Sequence, residues 1–160
     1  VVLADRDGLR NILTVAAVIE HHPLESVMNV DGFFDGIEHN VAGDMITLNH
    51  LENELIRAAY SEPRIHFAVN CASASCPPLR GTAYEAEGLA DALEAQTVAF
   101  INDNTQIRGP NVQVSKLFEW FADDFGDVRE FIASRHEEGD AVREGRLRYR
   151  EYDWTLNGVE

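Results

Sequence analysis

Apolar residues in this 160-residue chain recur at three and four positions in some stretches and at two in others. A chain that mixes both periods must bury helix stripes and strand faces around the same small core. The expected fold is therefore α+β: a single mixed domain over residues 1–160, with several helices packed on a small sheet. Leu9, Ile12, Leu13, Ala16 and Ala17 predict a first helix, capped by Asp7, stopped before Pro23 and apolar nearly all round, hence buried. Val41 and Met45-Ile46 around Ala42-Gly43-Asp44 predict a hairpin, and Asn49 opens a helix with Leu51, Leu55, Ile56 and Ala59 on one face. Ile65, Phe67 and Val69 alternate with His66, Ala68 and Asn70, the pattern of a strand. Thr82 and Glu85 form a capping-box pattern ahead of a helix that ends at Asn102-Asp-Asn104. A strand pair is expected around Ile107 and Val112 to Val114. Ser115 then caps a helix bearing Leu117, Phe118 and Phe121, with Trp120 and Phe121 in the core. A further helix runs from Asp127 to about His136, and Leu147 and Tyr149 alternate with Arg146, Arg148 and Arg150 as a last strand.

Composition narrows the function. With 45% hydrophobic residues and 5 prolines the chain can order itself, and no run approaches the roughly 18 to 20 apolar residues of a membrane span. Residues 1–10 lack the basic-then-apolar order of a signal peptide; a start at Val1 fits a mature form or an excised piece. Twenty-eight acids oppose 13 bases, a formal net charge of −15, which disfavours nucleic acid and anionic membrane as partners. Lys116 is the only lysine, a skew expected of a salt-rich habitat or of a GC-rich genome.

Chemistry concentrates in His66-Phe-Ala-Val-Asn-Cys-Ala-Ser-Ala-Ser-Cys-Pro-Pro78, which gathers a histidine, an asparagine and both cysteines. A strand presenting His66 and Asn70 on one face, then opening into a cysteine loop, would bring an imidazole to a thiol. A thiol titrating near ~8.5 needs such a neighbour to become a nucleophile at neutral pH. Cys76 precedes Pro77, which biases it to an extended conformation at the loop's end. Other readings stay open at this point. The cysteines suit small core residues, a Cys71–Cys76 disulfide, or half of a zinc site completed by His66 and one of His21, His22, His39 or His50. Glu52 is a candidate to orient His66, against a capping role with Asn49; Asn11 is either a site residue or a polar residue of an apolar helix. Arg146, Arg148 and Arg150 are candidate substrate-binding forks for a carboxylate or phosphate, against simple pairing with surface acids.

The stretch Pro63 to Leu79 resembles the signature of the Domain of Unknown Function 547 family. Val41-Ala-Gly43, Leu48 to Arg57, Ala83-Tyr84, Phe100 to Asp103, Val114 to Trp120, Asp124-Phe-Gly126 and Tyr152-Asp-Trp154 with Leu156-Asn157 resemble its further blocks, so the resemblance covers about residues 11–157. Two departures stand out. An aromatic Trp-Ile-Asn-x-Tyr-Asn-Ala type stretch expected at the first helix is replaced by Asp7 to Val15, as if that part were missing or diverged, and Asn53 stands where many relatives have histidine. The resemblance implies export for bacterial relatives, and fusion to DEP and glutaredoxin domains for eukaryotic ones, which points to thiol chemistry or partner binding. The leading expectation is a cysteine-dependent hydrolase or acyl transferase acting, without cofactor or metal, on a small peptide-like or thiol-containing substrate. In it Cys76 or Cys71 is the nucleophile, His66 the base, and Asn70, Glu52 or Asn11 the orienting or oxyanion groups. The alternative is a non-catalytic interaction or ligand-binding module with a structural Cys71–Cys76 bridge and a protein partner. A thiol–disulfide oxidoreductase ranks third, because C-x4-C is not the C-x-x-C spacing.

Overall fold

Two polar stripes set the architecture, one turned inward on the first helix and one left outward on the last strand. A computed structural model describes residues 3–158, which divide into two compact units, one of residues 3–89 and 153–158 and one of residues 90–152. Both combine helices with a small sheet, so the chain is α+β.

In the first unit, helix α1 (Leu3–His21) starts a turn earlier than Asp7 predicts, and Asp7 lies inside it. Its buried residues Asp7, Arg10, Asn11, Thr14 and Ala17 follow the helical repeat, whereas Ile12, Val15 and Ile19 are exposed. The helix is thus not buried all round. Its inner face is polar because hydrogen-bond partners wait there, and its outer face is apolar. Strands β1 (Glu38–Val41) and β2 (Asp44–Thr47) form the expected hairpin, Val41 facing Asp44 across a turn in which Ala42 and Gly43 take φ of 55° and 103°. Thr47, not Asn49, caps the next helix: its hydroxyl accepts from the His50 N–H at 3.1 Å. That helix, α2, runs as Leu48–His50, widens into a π-helical Leu51–Arg57 and closes as Ala58–Tyr60.

The expected strand over Arg64 to Asn70 is instead a 3-10 helix, Pro63–Phe67. Pro63 supplies a preset φ at the first position, and the Glu62 carboxylate caps it by accepting from the Arg64 N–H at 3.1 Å. Every residue from Ile65 to Asn70 is buried, so the apolar alternation marked no face. The core cluster of this unit joins Ala17, Val27, Phe33, Leu48 and Ala72, with Trp154 and Leu156 packed against it.

The predicted capping box also fails: Thr82 and Glu85 lie in irregular backbone, Gly88 takes φ 78°, and helix α3 begins only at Leu89, running to Asn104. In the second unit β3 (Gln106–Arg108) pairs antiparallel with β4 (Asn111–Val114), which pairs in parallel with β5 (Arg146–Tyr149). Between them lie α4 (Leu117–Trp120), α5 (Ala122–Phe125), α6 (Val128–Ala133, capped by Asp127) and α7 (Gly139–Glu144). Phe118, Phe125 and Phe131 pack with centroids 4.9 to 6.4 Å apart. Trp120 leaves the core expected for it: it is 43% exposed and stacks on Tyr152 at 4.8 Å. No helix among the described residues is long and apolar enough to cross a membrane.

Candidate thiol site

The cysteine loop is built around Asn70. Its side-chain oxygen accepts from the Ala72 N–H at 2.8 Å and its amide donates to the Pro77 carbonyl at 2.9 Å, so one residue closes both ends of the loop. Helix α1 then fixes Asn70 itself. Asn11 accepts from the Asn70 N–H at 2.7 Å while donating to the Ala68 carbonyl at 2.8 Å, and Arg10 donates to the Asn70 carbonyl at 2.9 Å. Ala72 sits at φ 56°, a left-handed conformation that costs a non-glycine residue about 1 kcal/mol, and this bracing holds it.

Inside the loop the two sulfurs lie 2.7 Å apart. The Cys71 N–H points at the Cys76 Sγ at 2.8 Å, and the Ser73 hydroxyl lies 3.4 Å from the Cys71 Sγ. Cys76 is buried and Cys71 half-buried. A strap of residues 153–157 closes the outer side: Ala74 N–H donates to Thr155 O at 2.8 Å, Asp153 N–H to the Ser75 hydroxyl at 2.9 Å, and Asn157 N–H to Ala72 O at 3.4 Å. A hollow of about 450 Å³ opens beside the loop, bounded by Asn70, Ala72, Pro78, Val15 and Leu156 among others.

Of the residues expected at the site, Asn11, Asn70, Cys71 and Cys76 form one bonded assembly. Glu52 joins it through Arg10 rather than through His66: the π-helical stretch of α2 carries its carboxylate to 3.0 Å from the Arg10 Nη2. That ion pair, and not a capping role with Asn49, accounts for the glutamate. His66 is buried in the 3-10 turn between Ile65 and Phe67, with no strand to share with Asn70. Arg146, Arg148 and Arg150 belong to β5 of the second unit or its end; the first two are exposed, and Arg150 donates to the Asn104 carbonyl at 3.4 Å.

Sequence reasoning missed Asp7 and Arg10. Arg10 is 1% exposed, with Nη1 shared between Thr14 and Asn70, while both carboxyl oxygens of Asp7 are buried without a hydrogen bond. Burial, then the negative charges of Glu52 and Glu62, push the Asp7 carboxyl up to about 7. The signal was present: Asp7, Arg10, Asn11 and Thr14 form a polar stripe at helical spacing within an apolar segment.

Chemically, the Cys71 N–H aimed at the Cys76 sulfur favours the thiolate, the burial of Cys76 and its contact to the Val69 carbonyl at 3.8 Å favour the thiol, and a second sulfur in contact makes oxidation to a disulfide a short step. Among the described residues no three His, Cys, Asp or Glu side chains converge as a metal cage. No curated protein and no solved structure matches the chain. The family described as "Protein of unknown function, DUF547" matches residues 9–101, which take in most of α1, the hairpin, α2, the 3-10 turn and the whole cysteine loop. With more than half of its length matched, and the braced thiol loop inside the match, the chain belongs to the DUF547 family.

Proposed function

We propose that this DUF547 domain is a cysteine-dependent enzyme, a hydrolase or acyl transferase acting on a small peptide-like or thiol-containing substrate. The observation that carries the reading is the Cys71 N–H aimed at the Cys76 Sγ at 2.8 Å, because a donor in that position favours the thiolate over the thiol. Cys76 is the nucleophile. His66 takes the Cys76 proton, the thiolate adds to the substrate carbonyl, and His66 returns that proton to the leaving amine or thiol as the tetrahedral adduct collapses. Water or an acceptor, giving its own proton to His66, then displaces the acyl group from sulfur, which takes the proton back. Asn11, Asn70, Arg10 and Glu52 are positioning residues that hold the loop.

One observation favours a second reading. Both cysteines are free thiols in this structure, but sulfurs 2.7 Å apart need only a small movement to reach the roughly 2.05 Å of a bond, which favours a structural Cys71–Cys76 bridge in a binding module. Alkylation by iodoacetamide across a pH series, read by intact mass on the native protein and on Cys71→Ser, Cys76→Ser and His66→Ala, separates the two. The enzyme reading expects one thiol, lost in Cys76→Ser, to react at pH 7 about tenfold faster than in the unfolded chain, with the advantage reduced in His66→Ala. Labelling that appears only after reduction under denaturing conditions sinks the enzyme reading and supports the bridge.

A further inference from the structure

Among the described residues the apolar row on the outer face of α1 stays largely open: Ile12 is 66% exposed, Val15 40% and Ile19 69%. The stretch Leu79 to Tyr84 runs beside this row, and together they enclose a groove of about 540 Å³, within the size range of small-molecule sites. Its lining is apolar apart from a few groups, of which Arg80 and Tyr84 are placed to select a ligand. Arg80 lies with Cζ 4.8 Å from the Tyr84 ring centroid. Like several arginines of this chain it holds no carboxylate among the described residues; what distinguishes it is its place at the edge of an apolar groove, where a guanidinium offers an anion a point of attachment. The Tyr84 hydroxyl is buried and lines the same groove, with the Arg80 guanidinium beside it and the Asp7 carboxyl close enough to act on it. Burial pushes this phenol up to about 12, against the pull of the Arg80 guanidinium, so it is a neutral O–H donor at physiological pH.

We infer that the groove binds a free, small anionic amphiphile: an alkyl or acyl tail lies along Ile12, Val15, Ile19 and Leu79, and its carboxylate meets the Arg80 guanidinium and the Tyr84 hydroxyl. The net charge of −15 opposes the approach of any anion, so the local guanidinium supplies the attraction and sets the preference for a carboxylate head. The groove adjoins the thiol site, sharing Val15, Ile19 and Leu79 with the hollow beside the cysteine loop and Asn11 with its bracing, but the proposed ligand contacts use neither sulfur.

Calorimetric titration of the whole chain with decanoate, decanol and decyltrimethylammonium tests the inference below their micellar concentrations. Decanoate is expected to bind saturably at one site and more tightly than either of the others. Arg80→Gln should weaken decanoate about tenfold, the loss of one charge-assisted contact, while leaving decanol unchanged. Ile19→Asp, on the solvent side of a helix and checked for folding by circular dichroism, should remove binding of both. The Cys71→Ser, Cys76→Ser double variant should bind decanoate as the parent does, so failure of the thiol reading leaves this result standing. Equal binding of the cation and the carboxylate, or decanoate binding indifferent to Arg80→Gln, overturns the proposal. So does co-sedimentation with anionic phosphatidylglycerol vesicles without binding of monomeric decanoate, which would make the face a membrane contact.

Discussion

Asp7 is the residue on which the first unit's pH response turns. Its carboxyl is pushed up to about 7, while in the unfolded chain it titrates near 3.8, so the native state holds a proton that the unfolded chain has released. Native protein therefore binds more protons between about pH 4 and pH 7, and stability falls as pH rises through that window. The penalty is absent below the unfolded value and complete above the folded one, on the order of 4 kcal/mol for about three pH units. Asp7→Asn is expected to remove this slope and to be more stable than the parent at pH 8, with little gain at pH 4. Urea midpoints at the two pH values check it, and an unchanged slope would show that Asp7 does not carry the proton. At this scale the chain was half legible. Asn11, Asn70 and both cysteines stood out by residue type and spacing, and the structure joins them. Asp7 and Arg10 did not, because a charged residue near a helix start reads as a cap, and only the fold shows which face turns inward.

Elements were legible where a local signal had no competitor. The turn at Ala42-Gly43, the helix expected from Asp127 and the alternation along β5 each had one reading, and each element formed there, the helix ending at Ala133 rather than near His136. Arg64 to Asn70 failed because burial on all sides left alternation uninformative, so the proline and the Glu62 cap decided the backbone. Glycines give the element-scale test. A Cβ on Gly145, at the entry to β5, would lie 2.3 Å from Val112 Cγ2 and 2.9 Å from the Ala141 carbonyl oxygen, with Val112 fully buried in β4. Gly145→Ala is expected to cost about 2 kcal/mol or more by overpacking. Gly8 lies within α1, and a methyl group added there would meet nothing within 4 Å, so Gly8→Ala should stabilise by about 0.5 to 1 kcal/mol through helix propensity. Thermal melts of the two variants moving in the same direction would refute the packing argument.

For the whole molecule, charge is the dominant variable. A net −15 on 160 residues makes self-repulsion part of the folding balance, and added salt screens it. The melting temperature is expected to rise by several degrees between low and molar sodium chloride; a flat or falling midpoint would show that the acids are already neutralised by local pairing and would remove the salt-adaptation reading. The strap over the cysteine loop has a consequence for the order of biosynthesis. Asn70, Cys71 and Cys76 leave the ribosome well before Asp153, Thr155 and Asn157, which supply the outer hydrogen bonds to Ala72, Ala74 and Ser75. A growing chain thus carries its thiol pair through the making of the entire second unit with that side of the loop unfastened. The cysteine loop is fastened last, by a handful of hydrogen bonds from the far end of the described chain, so a nascent or shortened polypeptide ending before residue 153 holds the cysteines without that outer strap.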